Sequence, residues 1–207
     1  MVGRNGAGKS TLLRALDSRS LTLPEGVSLL HVEQEVIGDD TPAIESVLDV
    51  LEDRKALLSQ LAELEQLQKE GKEVTFGNIY EQLQDIDADS KPAIAAEILH
   101  GLGFTRKMQE APTKSFSGGW RMRLALAQAL VLEPDLLLLD EPTNMLDMRA
   151  VLWLEWKLQS WPSTLLTVSH DRSYLNSVCT DIINLSGQKL IYYKVSPTIK
   201  CVALYKD

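Results

Sequence analysis

Cysteine is scarce in this sequence of 207 residues: Cys179 and Cys201 are the only two. Their spacing matches no metal-ligand pattern and builds no disulfide framework, so a reduced, cytosolic setting is the default. A basic surplus is missing too, since 29 acidic side chains outnumber 21 Lys and Arg, for a net charge of −8. That balance argues against a broad nucleic-acid-binding face and leaves room only for a local one. No apolar run reaches the roughly 20 residues that span a bilayer. Residues 1 to 16 are glycine-rich and then amphipathic, unlike a signal peptide. Internal repeats and low-complexity runs are absent as well. The ordinary apolar fraction then fits one globular domain, or one domain with an insertion.

Chemistry enters at the first residues. Gly3-Arg4-Asn5-Gly6-Ala7-Gly8-Lys9-Ser10 fits the phosphate-loop pattern G-x-x-x-x-G-K-[ST]. Its glycines let the backbone curl so that successive N–H groups point at a polyphosphate. Lys9 brings an ammonium to the β- and γ-phosphates, and the Ser10 hydroxyl is a Mg²⁺ ligand. From Thr11 to Leu16 the chain reads as a helix whose N-terminus faces the anion. By itself the motif competes with a plain Gly-rich turn before a helix. A strand is expected to feed such a loop, and only Met1 and Val2 precede it.

Strand and helix signals then alternate. Residues 28–33 read as a strand ended by Gln34, and 38–42 as a loop with Thr41 as N-cap and Pro42 at the first helical position. Residues 43 to about 70 read as one helix, 76–88 as a second that makes a hairpin with it, and 93–100 as a third closed by Gly101 or Gly103. Between residues 49 and 73 lie seven acidic and four basic side chains, a solvated face rather than a nucleic-acid clamp. The insert is either a packed subdomain or a partner-binding arm.

Two further stretches carry chemistry. Ser117-Gly118-Gly119 precedes a helix over 121–132, where a hydroxyl and exposed N–H groups make an anion site; alone, it is also a common turn. Leu136 to Leu139 reads as a strand buried on both faces. Asp140 at its C-terminal end is placed to hold Mg²⁺, and Glu141 to act as general base on water. A loop with Asp147 leads to a helix over 148–159, and a strand over 164–169 ends at His170, suited to a γ-phosphate contact. Short strands over 182–185 and 189–193 follow, joined at 186–188.

Taken in order, the phosphate loop, Gln34, Ser117-Gly118-Gly119, Asp140-Glu141, Asp147 and His170 resemble the ATP-binding cassette family. The resemblance runs from Val2 to about Lys194. Asp140 to Asp147, Ser169-His170-Asp171-Arg172 and Phe116 to Arg123 are similar to the ABC-F branch, which joins two cassettes in one polypeptide without a membrane domain. The first of those cassettes is the nearer match. The resemblance implies an α/β fold of the ABC type of P-loop NTPase: a mostly parallel sheet with a helical subdomain inserted over about 43–103. It implies ATP and Mg²⁺ as ligands, with Gly3, Arg4, Asn5, Gly6, Ala7, Gly8, Lys9, Ser10 and Thr11 on the nucleotide, and Ser10, Gln34 and Asp140 toward the metal. Glu141, His170 and Gln34 become the catalytic set. Ser117, Gly118 and Gly119 would serve the ATP of a second cassette, and Asp147 would couple the two sites. Implied partners are that second cassette and a ribosome or translation factor, in the cytoplasm and away from membranes.

Two departures shape the expectations. The upstream strands of a family cassette are missing, and residues 195–207 diverge as a tail, so residues 1–194 read as an incomplete cassette. Without the strand before the phosphate loop, Leu136 to Leu139 is expected to be left with a bare edge, and the chain is expected not to work alone. The competing functions are a nucleotide-binding subunit of a transporter and a non-catalytic fragment that binds nucleotide or a partner weakly.

Overall fold

The computed structural model describes residues 8–69, 79–85, 88–186, 189–194 and 201–205. Six strands form one sheet in the order β1-β2-β3-β6-β4-β5. β1 (Leu29–Val32), β2 (Leu136–Asp140), β3 (Thr164–Ser169), β6 (Cys201–Tyr205) and β4 (Asp181–Ser186) run parallel, and β5 (Lys189–Lys194) folds back antiparallel on β4. The mostly parallel α/β architecture is the one expected.

The leucine run explains why helices cover both faces. Successive strand residues point to opposite sides. Leu137 and Leu139 therefore enter a large core with Leu99, Leu124 and Leu130, while Leu138 packs on Leu13, Leu166 and Val168. Leu137, Leu138 and Leu139 are fully buried, and burying each side chain is worth about 2 kcal/mol. The first face is layered by α2 (Ala43–Leu48), α5 (Lys91–Gly101), α7 (Gly118–Leu132), α8 (Met148–Gln159) and α9 (Arg172–Val178), and the second by α1 (Lys9–Asp17).

Several boundaries differ from the sequence reading. The helix expected from 43 to 70 is broken between α2 and α3 (Glu52–Lys69). There the Leu51 N–H turns back to the Leu48 carbonyl, and Lys55 reaches Asp49 at 2.9 Å. Helix α2 starts at Ala43, with Pro42 extended before it. The cause is tertiary: residues 39–43 pair with 111–114, Ala43 N–H donating to Ala111 and Thr113 N–H to Thr41. Of the second expected helix, 79–85 forms α4, and 76–78 and 86–87 lie outside the described residues. Helix α7 begins at Gly118, three residues early. α6 (Arg106–Gln109), a turn of 3-10 helix at Thr113–Ser115, and α9 had no separate sequence signal.

The largest correction concerns the sheet. Leu136 to Leu139 has no bare edge: β2 is paired with β1 on one side and β3 on the other. Beyond β3, residues from the divergent tail enter the sheet as β6.

Gly101 and Gly103 split the work that the sequence left between them. Gly103 takes the left-handed turn, at φ 96°, after α5. Gly101 stays helical and lies flat against the Trp153 indole of α8, where an added Cβ would sit 2.0 Å from a ring carbon. Gly101→Ala is expected to destabilise the fold by about 2 kcal/mol through overpacking, read as a lower urea midpoint at unchanged slope.

Candidate functional site

The parallel ladder brings the ends of β2 and β3 to one edge of the sheet, and α1 starts there. Gly3 to Ala7 lie outside the described residues. Gly8 precedes α1 with φ 98°, a left-handed conformation that suits glycine. Lys9 is buried at the first helical position. One position on, the Ser10 hydroxyl donates to the Asp140 carboxylate at 2.5 Å, across 130 residues of sequence. Thr11 is exposed on the same turn.

Glu141 is held in an unusual way. Its backbone is left-handed, at φ 52°. That conformation costs a non-glycine residue about 1 kcal/mol, and strain of this kind gathers where chemistry is done. The Glu141 N–H donates to the Val168 carbonyl at 2.8 Å, which fixes the kink. His170 then grips both carboxylate oxygens: its backbone N–H donates to Oε2 at 3.1 Å, and its Nε2 lies 3.1 Å from Oε1. A carboxylate of this kind can accept a proton from a water molecule within hydrogen-bond reach.

Gln34 follows the end of β1 by two residues. It is exposed in the bend after β1 and lines a cavity with Ala125 and Gln128. Its neighbour Glu33 instead lines the cavity of about 230 Å³ beside Asp140 and Glu141, with Met122 and Arg123 of α7 on the facing wall. Glu33 also accepts a hydrogen bond from Arg14 Nε at 2.5 Å, joining α1 to the end of β1. That bond, more than any other influence, keeps the Glu33 carboxyl below its ordinary range and the Arg14 guanidinium above its own. His31 lies inside, its Nδ1 3.7 Å from both the Asp17 and Glu33 carboxylates. Sequence reasoning passed over Arg14, His31 and Glu33, because only the alignment of α1 with β1 brings them together.

The Ser117-Gly118-Gly119 stretch forms the start of α7. Ser117 is the cap residue, and its side chain makes no capping bond to the helix. Glu35 leans over this end: Arg121 Nη2 donates to Glu35 Oε1 at 3.0 Å, and a Cβ on Gly118 would meet Glu35 Oε2 at 2.6 Å. Gly119 faces the Met145 sulfur. A carboxylate thus rests where the helix N-terminus favours negative charge.

Asp147 caps α8. One oxygen accepts from the Ala150 N–H at 3.0 Å and the other from Arg123 at 3.2 Å. Arg123 is a hub: it also donates to the Leu102 and Met145 carbonyls and lies over the Trp120 ring at 4.4 Å. The Ala150 N–H first, and Arg123 after it, hold the Asp147 carboxyl below its usual range.

The ABC transporter family model matches residues 1–144. Over 199 residues the chain is 60% identical to mouse ATP-binding cassette sub-family F member 3, covering 94% of this chain and 28% of that protein. It is 49% identical over 217 residues to Protein GCN20 of Saccharomyces cerevisiae, with 94% and 29% covered. The chain therefore spans under a third of the length of these relatives. Among solved structures, a dimeric post-hydrolysis ATP-binding cassette bound to ADP and Pi aligns with a TM-score of 0.59 at 19% identity, covering 95% of this chain and 84% of that one.

Asp147→Ala is expected to cost about 1 kcal/mol at pH 7, as losing a helix cap does. Because the folded carboxyl is held low, its contribution is complete above the unfolded value near pH 4 and declines as pH falls through the folded value. Denaturant titrations of both proteins at pH 7 and pH 3 should show the difference shrinking at the lower pH.

Proposed function

This chain belongs to the ATP-binding cassette family, in its ABC-F branch, and on that premise we propose that it hydrolyses ATP as one cassette of a translation factor acting at the ribosome in the cytoplasm. ATP binding and hydrolysis are family properties. The observation that carries the residue assignment is the meeting of Ser10 with Asp140 at 2.5 Å beside the Glu141–His170 pair. Among the described residues no helix is long and apolar enough to cross a membrane. The 60% identity to ATP-binding cassette sub-family F member 3 is what favours the translation reading over a transporter subunit.

In this reading Lys9 and the loop N–H groups, Gly3 to Gly8, hold the phosphates of the nucleotide, with Ser10 and Thr11 at the start of α1. Ser10 and Asp140 are hard oxygen donors, and one carboxylate plus a hydroxyl suits an ion that also takes phosphate oxygens. Ser10 and Asp140 would hold Mg²⁺ there, and the ion would supply positive charge toward the phosphates. Glu141 takes the proton from the attacking water. His170 orients that carboxylate and is assigned to the γ-phosphate contact. Gln34, on the exposed bend, is assigned to relay nucleotide occupancy to the helical subdomain, with Glu33 as its fixed neighbour. Ser117, Gly118 and Gly119 serve the nucleotide of a second cassette, a role in which the Glu35 carboxylate has to give way to phosphate. Asp147, bound to Arg123, links that end of α7 to the loop after Glu141.

Glu141→Gln should cut steady-state turnover by about 10²-fold or more while nucleotide binding persists, since only the proton acceptor is lost. Lys9→Ala should weaken ATP binding first, because its contact exists in the ground state. Equal loss of binding and turnover in Glu141→Gln would count against the base. Co-sedimentation of the whole protein with ribosomes, against co-fractionation with membranes, tests the cellular reading.

A further inference from the structure

We propose that Arg14 is a positioning residue of the nucleotide site: it holds Glu33 away from the cation that Ser10 and Asp140 would share, so that the site offers one carboxylate instead of two and selects Mg²⁺ over Ca²⁺. The proposal rests on the reading of Ser10 and Asp140 as ligands of that cation. The first observation is register. β1 and β2 are paired up to Val32↔Leu139. Glu33 and Asp140 are the next residues on these neighbouring strands, whose backbones lie about 4.8 Å apart. Alternation turns both toward α1, the side on which Leu138 meets Leu13. Both also line the cavity of about 230 Å³ beside Glu141. Two like charges so close disfavour one another, and together they would make a different cation site from either alone.

The second observation is what α1 presents to the two carboxylates. Ser10 and Arg14 are one helical turn apart and share a face of α1. The Ser10 hydroxyl donates to Asp140 Oδ2, and Arg14 Nε donates to Glu33 Oε1, each at 2.5 Å. One carboxylate meets a neutral hydroxyl and keeps its charge; the other meets a guanidinium and is neutralised. The second oxygen of Glu33 faces the buried His31 ring, 3.7 Å from Nδ1, and Asp17 at the end of α1 approaches the same nitrogen at 3.7 Å. Both oxygens of Glu33 are thus turned to groups of the protein. The bond to Glu33 is the main reason that the Arg14 guanidinium is held above its ordinary range, and the charge of Asp140 adds to it.

Exposure is the third. The Arg14 side chain is 65% exposed, and an ion pair so open to water adds little to folding. Its effect falls on the cavity instead. A Mg²⁺ site is built from one or two carboxylates together with phosphate oxygens and water, whereas Ca²⁺ takes more oxygens in a looser shell. A freed Glu33 would bring a second carboxylate beside Asp140. That favours the larger cation, and the added negative charge repels a polyphosphate.

The test measures binding of ADP to the full chain in Mg²⁺, in Ca²⁺ and in EDTA, beside thermal unfolding. Arg14→Gln is expected to weaken binding of ADP with Mg²⁺ about tenfold, the effect of one uncompensated charge acting over roughly 10 Å. It is also expected to move the preference toward Ca²⁺ and to leave Tm within about 2 °C. Adding Glu33→Gln to Arg14→Gln removes the freed charge and is expected to restore both affinity and preference. Arg14→Lys, which keeps the positive charge, should stay near the parent. A mere tie between α1 and β1 predicts otherwise, since the double variant restores no ion pair. The proposal is overturned if the double variant binds as weakly as Arg14→Gln, or if Arg14→Gln keeps the affinity or the preference of the parent. Asp140→Asn tells this failure from failure of the underlying reading. If Asp140→Asn leaves the Mg²⁺ requirement intact, or if the parent binds ADP equally in Mg²⁺ and in EDTA, the reading falls and the proposal with it.

Discussion

A parallel ladder forces its strands to end on the same edge, and the chemistry of this chain depends on that constraint. Asp140 closes β2, Ser169 closes β3, and α1 begins beside them. Nothing local in the sequence holds Ser10 near Asp140; the hydrogen bond between them spans 130 residues. Because β1, β2 and β3 share one direction and one register, Glu33, Asp140 and His170 emerge together. The apolar faces that hold this geometry are the alternating leucines of β2, and each face needs its own helical cover. An open α/β sheet of this kind places its ligands at the carboxyl ends of the strands.

The helical layer is tied to that edge by a few polar contacts. Asp39 accepts from the Thr113 hydroxyl at 2.8 Å and from the Thr41 N–H at 2.9 Å, with Thr113 fully buried. The Thr113 hydroxyl is the main reason that the Asp39 carboxyl is held low. Gly38, just before, has no room for a side chain, since a Cβ there would lie 2.8 Å from the Lys114 backbone. This knot joins the segment after Gln34 to the segment before Ser117. Glu35 and Arg121 add a second tie at the start of α7, and Arg123 a third, through Asp147. Movement of either segment has to carry the other with it.

The strand edge also stores strain. Glu141 is left-handed although nothing in its residue type favours that conformation. The bond from its N–H to Val168 and the grip of His170 on its carboxylate hold it there. The backbone kink turns the side chain from the line of β2 toward the end of β3. Strain of this kind persists only where the surrounding structure over-determines it, as these two contacts do here.

Motif chemistry was legible in the sequence because it depends on residue type at short spacing. Gly8-Lys9-Ser10, Ser117-Gly118-Gly119 and Asp140-Glu141 each carry their meaning within a few positions, and their order identified the family. Strand and helix alternation followed from periodicity, and the leucines of β2 announced a strand covered twice. Only the tertiary structure decided which residues meet. It set Glu33 at the cavity beside Asp140, broke the long helix after Leu48, and placed Arg14, His31 and Glu35 in contacts that no local pattern foretells. It also put Cys201–Tyr205 between β3 and β4. Five residues of apolar character specify a strand but not its neighbours; those are set by which edges remain unpaired once the rest of the sheet has formed.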